Sequence, residues 1–245
     1  MLHAVAVTHR PPSSLLVVQH EEECPPAWFG LWLAAAGVTL DLRRPYAGDP
    51  LPTDLEGHDG MLVLGGPMGA YDDARYGWLT QVKELFRDAA DNEVPAFGIC
   101  LGHQLAAVAL GGSVLVNPRG QQLGLIELGW LEAAVADPLL REAGMPKRGV
   151  QWNSDVVDRL PKGAVPLART DAGELQAVRF APTVWGVQLH PEADQHVLAP
   201  WAADDRPRYP EGVVDEALQS VADARGELES AWRPLAEAFA AVVLA

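Results

Sequence analysis

The run Gly98-Ile99-Cys100-Leu101-Gly102-His103-Gln104 places a cysteine between a strand-like apolar stretch and a helix-like one. A cysteine at so tight a strand-to-helix turn has its thiol lifted above the carboxyl edge of a sheet. There a helix N-terminus offers positive partial charge and free backbone N–H groups. Such a setting favours the thiolate, the form that attacks carbonyl carbon. Gly98 and Gly102 flank the turn, where a side chain would crowd the bend. A second run, Gly186-Val187-Gln188-Leu189-His190-Pro191-Glu192, ends another apolar strand. Beside the cysteine, His190 would act as general base and Glu192 would orient its ring, with Pro191 stiffening the link. The loop Leu64-Gly65-Gly66-Pro67-Met68-Gly69 follows a third apolar strand and offers backbone N–H groups to an oxyanion. Each fragment alone has an ordinary structural explanation: a small buried thiol, a strand-end histidine, a sharp loop. All three, however, follow expected parallel strands, at the edge where open α/β sheets place their sites.

Those strands must come from the surrounding pattern. Apolar runs at 15–18, 38–42, 61–64 and 95–100 alternate with helix-like stretches at 26–36, 78–91 and 101–110. Gly37 and Gly111-Gly112 stand at natural helix ends. Strand and helix alternating through short links is the signature of a parallel α/β sheet covered on both faces. Segments 113–135 and 164–190 are richer in strand, with Val114–Val116, Gly124–Leu131, Leu175–Phe180 and Val184–Leu189 as candidates. From 211 onward the pattern gives two helices, 212–225 and 227–243, broken near Gly226. Residues 1–13 form a lead-in. The expected fold is therefore a three-layer, flavodoxin-like α/β domain with a mixed, mainly parallel sheet, helices on both faces and a C-terminal helical pair. The domain proper spans 14–200, and 201–245 is a helical extension packed on it.

Composition narrows the function classes. The chain has 245 residues and a formal net charge of −15, from 33 acidic against 18 basic side chains. That balance speaks against nucleic acid or an anionic membrane as partner, since both demand a basic face. Two cysteines, Cys24 and Cys100, make neither a disulfide framework nor a cysteine-rich zinc site. No apolar stretch reaches the roughly 20 residues that span a bilayer, and no secretory leader stands at the N-terminus. A reducing, cytoplasmic setting is expected. His3, His9, His20, His58, His103 and His196 are scattered without metal-site spacing, so neither a metal nor a cofactor is expected. Trp28, Trp32, Trp78, Trp130, Trp185 and Trp232 lie in expected helices or strands and serve packing. Trp201, placed in a loop, stands near the site mouth or an interface. Glu21-Glu22-Glu23 suits a helix N-terminus, and Cys24 is a spectator.

On these residues the chain resembles the class I glutamine amidotransferases, above all stand-alone members like the glutaminase part of GMP synthetase. The family's Gly-x-Cys-x-Gly-x-Gln is matched by Gly98, Cys100, Gly102 and Gln104. Its His-Pro-Glu is matched by His190, Pro191 and Glu192, and its oxyanion loop by Gly65-Gly66-Pro67. Four such fixed positions match by chance on the order of once in 10³ chains of this length, and the His-Pro-Glu removes coincidence. The resemblance covers roughly residues 14–245. It implies Cys100 as nucleophile, His190 as base and Glu192 as its orienting partner. It further implies the amides of Gly66 and Leu101 as oxyanion donors, and Gln104 with the backbone near Met68 as contacts for the glutamyl α-groups. Two departures stand out. Many relatives carry His-Gly-Asp, preceded by Trp-His, where this chain has Gln151-Trp152-Asn153-Ser154-Asp155. Gln122 also replaces an acid in an Arg-Gly-x-Glu-x-Gly pattern.

The implied reaction is hydrolysis of the glutamine γ-carboxamide, or of another γ-glutamyl compound, through a γ-glutamyl thioester. It yields glutamate and ammonia, which leaves room for a separate synthetase or acceptor protein. The first alternative is a γ-glutamyl peptidase, since no P-loop of Gly-x-x-x-x-Gly-Lys-Ser/Thr type is present. The second is a catalytically idle regulatory or scaffold protein, opposed by the intact Cys100, His190 and Glu192. A group of proteins sharing the elbow, some with histidine directly after the cysteine, fits less well because Leu101 stands there. His103, nearly one helical turn after Cys100, is the rival base.

Overall fold

The computed structural model of the protein describes residues 13–245. The lead-in expected over 1–13 lies outside the described residues save for Ser13. The first half alternates β1 (Ser14–Val18), α1 (Ala27–Ala35), β2 (Thr39–Arg43), β3 (Gly60–Val63), α2 (Trp78–Asp91), β4 (Ala96–Ile99) and α3 (Leu101–Ala109). A strand-rich middle follows, with β5 (Ser113–Val116), β6 (Gln122–Glu127), β7 (Gly129–Trp130), short helices α4 (Glu132–Val135) and α5 (Leu140–Ala143), then β8 (Arg148–Asn153) and β9 (Asp155–Arg159). The chain closes with β10 (Val165–Arg169), β11 (Leu175–Ala181), β12 (Val184–Val187), α6 (Gln195–Asp205), α7 (Val213–Asp223) and α8 (Arg225–Leu244).

The main sheet runs β2-β1-β3-β4-β12-β11-β10-β7. Its strands from β2 to β12 are parallel, and β11, β10 and β7 continue it antiparallel. The fold is thus the expected α/β architecture with a mixed, mainly parallel sheet. Alternate residues of β1 divide between two cores, as a pleated strand requires. Leu15 and Val17 pack with Phe29 of α1 and Phe239 of α8, whereas Leu16 and Val18 pack with Phe86 of α2 and Leu105 of α3. The C-terminal helix is therefore a full member of one helical layer, its Phe239 ring lying 5.5 Å from that of Phe97 on β4. Two small antiparallel ribbons, β5–β9 and β6–β8, stand apart from the main sheet.

Several boundaries differ from the sequence reading. The break between the last two helices falls at Ala224, and Gly226 lies inside the first turn of α8. Residue 200 falls within α6, and Trp201 is helical rather than in a loop. No acidic residue occupies the first turn of α1, so Glu21–Glu23 do not cap it. Trp28, Trp32, Trp185 and Trp232 are buried as expected, while Trp78 and Trp130 are half-buried. Among the described residues, no helix is long and apolar enough to cross a membrane.

Two buried histidines carry a consequence for stability. His20 and His103 are both fully buried, and burial pushes each pKa down to about 3, a backbone hydrogen bond at Gly186 opposing this slightly for His103. An unfolded histidine titrates near 6.5. Below that pH the unfolded chain takes up protons that the folded one refuses, so stability falls as pH drops from about 6.5 towards 3. The expected slope is about 1.4 kcal/mol per pH unit for each histidine. Urea unfolding between about pH 5 and 6 should show the uptake of about two protons, and His103→Leu should remove one of them. A flat profile would contradict the neutral burial of this pair.

Candidate active site

The three loops read from the sequence meet at one sheet edge because β3, β4 and β12 are neighbours. Val63 lies opposite Gly98, and Ile99 opposite Val187, so the strands end almost level. Cys100 adopts φ +50° and ψ −104° immediately before α3. A positive φ at a residue with a side chain is held only where its surroundings over-determine it. Here the amide of Cys100 donates to Val187 O at 2.9 Å, and its carbonyl accepts from the Gln104 amide at 3.1 Å. The flanking glycines are compelled by space. A Cβ on Gly98 would stand 2.5 Å from the carbonyl of Gly102, and one on Gly102 would stand 2.2 Å from Val63 O.

His190 and Glu192 are both 3% exposed. His190 Nδ1 donates to Glu192 Oε1 at 2.7 Å, while Nε2 has no hydrogen-bond partner among the described residues. Burial acts to lower the His190 pKa, yet the charges of Glu192 and Cys100 outweigh it and raise it to about 10. The imidazole is therefore protonated at neutral pH, paired with carboxylate on one side and facing the cysteine. A protonated imidazole beside a cysteine is chemically able to donate a proton. Gly65 fits against both groups: a Cβ there would lie 3.1 Å from His190 Cε1 and 3.5 Å from Cys100 Cβ.

His103, the rival base, is not among the residues that line the cavity. His103 is fully buried beneath the sheet, its ring 5.0 Å from that of Phe180 and its Nδ1 close against Gly186. The loop with Gly66 is braced from behind. A Cβ on Gly66 would press within 2.9 Å of His20 Cβ, and the Trp78 indole donates to His20 Nδ1 at 3.2 Å. Farther along, buried Lys83 donates to Ala70 O at 3.0 Å and to Asp73 at 2.7 Å, and the Gly69 amide donates to Asp72 at 2.8 Å.

Cys100, His190, Gly66, Met68 and Gln104 line one cavity of about 720 Å³. Leu101, the other residue singled out as an oxyanion donor, follows Cys100 at the start of α3. Its side chain is buried in the core, so only its backbone can serve the site. Gln104 Nε2 is engaged internally, donating to Asp155 O at 3.0 Å and to Gln188 Oε1 at 3.2 Å. Gln188 in turn directs its Nε2 at Cys100 Sγ, 3.6 Å away. The sequence reading gave Gln188 no role; its position two residues before His190 is the signal that could have found it. The departures from the family pattern also fall on this cavity. Asn153, Ser154 and Asp155 line it, and Gln122 pairs with Asn153 across β6 and β8.

Trp201, expected near the site mouth or an interface, lines the cavity, and residues with no expected site role join it. The Trp201 ring lies 4.9 Å from that of His190, and its indole donates to Glu23 O at 2.8 Å. Glu21, Glu23, Cys24 and Asp204 join the lining. Cys24 is held protonated, its pKa raised by burial and by the charges of Cys100 and Glu192. Asp205 is buried, accepting from the Trp152 indole at 2.8 Å, from Gln121 at 2.9 Å and from Arg208 at 3.0 Å. No group of three or more His, Cys, Asp or Glu among the described residues is placed to hold a metal ion.

Comparison with known proteins agrees with this architecture. The family model described as glutamine amidotransferase class-I matches residues 33–200. The chain is 28% identical over 199 residues to the glutamine amidotransferase-like protein YfeJ of Salmonella typhimurium, covering 80% of this chain and 77% of that one. It is 38% identical over 138 residues to a subunit of the glutamine-hydrolyzing GMP synthase of Methanosarcina mazei, covering 55% and 64% respectively. It is 33% identical over 168 residues to a γ-glutamyl-L-1-hydroxyisopropylamide hydrolase of a Pseudomonas species, covering 63% and 54%. The crystal structure of a glutamine amidotransferase from Thermotoga maritima shares the fold, with a TM-score of 0.82 at 24% identity over 94% of this chain and 99% of that one. With the family model spanning more than half of the sequence, the chain belongs to the class I glutamine amidotransferase family.

Proposed function

We propose that the protein hydrolyses a γ-glutamyl amide bond through Cys100, His190 and Glu192, with glutamine as the simplest substrate. The observation that carries this reading is the buried Cys100–His190–Glu192 arrangement, held by adjacent parallel strands above a cavity. The thiolate attacks the γ-carboxamide carbon, forming a C–S bond and an oxyanion that takes hydrogen bonds from the amides of Gly66 and Leu101. As the C–N bond breaks, His190 passes its proton to the departing nitrogen. Neutral His190 then draws a proton from water, whose hydroxyl attacks the thioester, releasing glutamate and restoring the thiolate–imidazolium pair. Gln104 and the backbone near Met68 contact the glutamyl α-groups.

The relatives' names support both cleavage of glutamine and cleavage of larger γ-glutamyl amides. In the first case the ammonia would pass to a separate synthetase, in keeping with the name of the GMP synthase relative. Glutamate release from purified protein, with glutamine beside a γ-glutamyl dipeptide, tests the reading. Turnover of either supports it. Turnover of neither, with Cys100 unreactive to a glutamine-like chloroketone, overturns it.

The raised His190 pKa gives a pH prediction. Activity needs the imidazolium, so its alkaline limb should lie near pH 10 and not near the ordinary histidine value of about 6.5. Glu192→Gln removes the largest charge holding that proton. Its alkaline limb should move down by more than about one pH unit, read from kcat/KM profiles. An unmoved limb would contradict the role given to Glu192.

A further inference from the structure

Because His190 protonates the departing nitrogen, the leaving group must extend along the His190 side of the cavity. That side of the cavity is formed by α6 and by the segment between β1 and α1. Trp201 of α6 lies against the imidazole, and its bond to Glu23 O ties α6 to the segment between β1 and α1. Asp204, one turn beyond Trp201, and the pair Glu21 and Glu23 line the same cavity. All four lie outside residues 33–200, the span matched by the family model.

The cavity of about 720 Å³ must hold the glutamyl group and the leaving group together, and its lining says what the second can be. The charge is one-sided: the single guanidinium in the lining, Arg208, already pairs with Asp205, leaving Glu21, Glu23 and Asp204 without a cation in the cavity save His190. Inside a cleft such carboxylates focus a field that repels an anionic leaving group and draws a cationic one. His190 lines the same cavity with its buried Nε2 unpartnered, the atom from which the departing nitrogen takes its proton in the proposed reaction.

We propose that the leaving-group subsite takes an amine bearing a second positive nitrogen, so that the preferred substrates are γ-glutamyl amides of diamines. This rests on the hydrolase reading above. The thiolate forms its bond to the γ-carbon, the C–N bond breaks, the His190 proton goes to the nitrogen and the diamine leaves. Water then releases glutamate.

The test compares the full chain on the γ-glutamyl amides of putrescine and of butylamine, alike in length and differing in one terminal charge, with γ-glutamylglycine as the anionic probe. The expected kcat/KM ratio of putrescine to butylamine amide is about tenfold at low salt, falling with ionic strength. γ-Glutamylglycine should be the poorest of the three. The double variant Glu23→Gln, Asp204→Asn, at exposed positions, should bring the ratio towards one. A wild-type ratio at or below one, or a ratio unmoved by both salt and the double variant, overturns the proposal. Where glutamine or the butylamine amide is still hydrolysed, only the proposal falls. If nothing is cleaved and Cys100 resists the chloroketone, the hydrolase reading falls with it.

Discussion

Cys100→Ala should lower glutamate release from every γ-glutamyl substrate by at least about 10⁴-fold. In the proposed mechanism the Cys100 sulfur forms the acyl bond, and a variant without it has no replacement nucleophile in that position. Cys24 lines the same cavity, but its raised pKa keeps it a thiol. The residual rate should come only from oxyanion donors and binding. His190→Asn should cost nearly as much, and the two losses should not add, since the residues act as a unit. Alanine keeps the same backbone at 100, so the melting temperature should stay within about 4 °C of the wild type. Steady-state kinetics beside thermal unfolding separate the two effects. A variant retaining a tenth of the activity would contradict the assignment.

Gly102→Ala should have the largest effect on the fold. The added methyl would stand 2.2 Å from Val63 O and 2.9 Å from Val63 C, both backbone atoms of β3. No side-chain rotation relieves that, so β3 and α3 must separate. The expected loss is at least about 3 kcal/mol, or a fall of about 10 °C in melting temperature. Glutamate release should fall too, because the shift moves β3's Gly66 loop away from Cys100. Gly98→Ala, meeting the Gly102 carbonyl at 2.5 Å, should behave alike. By contrast, a Cβ at Gly226 meets nothing within 4 Å, so Gly226→Ala should be neutral or slightly stabilising in the helix. A Gly102→Ala protein as stable as the wild type would show that the elbow is looser than these distances imply.

The centre of the site was legible because backbone sterics dictated its letters. Gly98 and Gly102 are the only residues that fit where β4, α3 and β3 touch, and they bracket the cysteine in the sequence. The amphipathic α2 was legible to the residue, since its apolar positions fall on one face. The periphery was not. In α6 the apolar residues do not segregate to one face and Pro200 interrupts the pattern, so Trp201 read as loop. Its packing on His190, and the use of Glu23 from far earlier in the chain, depend on tertiary structure that no local spacing announces. The strands β8 and β9 were passed over for a similar reason. They hold polar residues such as Gln151 and Asp158, and are stabilised by distant partners on β6 and β5.

The most direct test of the central claim is peptide mapping after reaction with a glutamine-like chloroketone, with and without added glutamine. The account predicts a label on the peptide carrying Cys100 and none on that carrying Cys24, with labelling slowed by glutamine and in His190→Asn. Label on Cys24 instead, or labelling of Cys100 indifferent to both glutamine and His190, would contradict it.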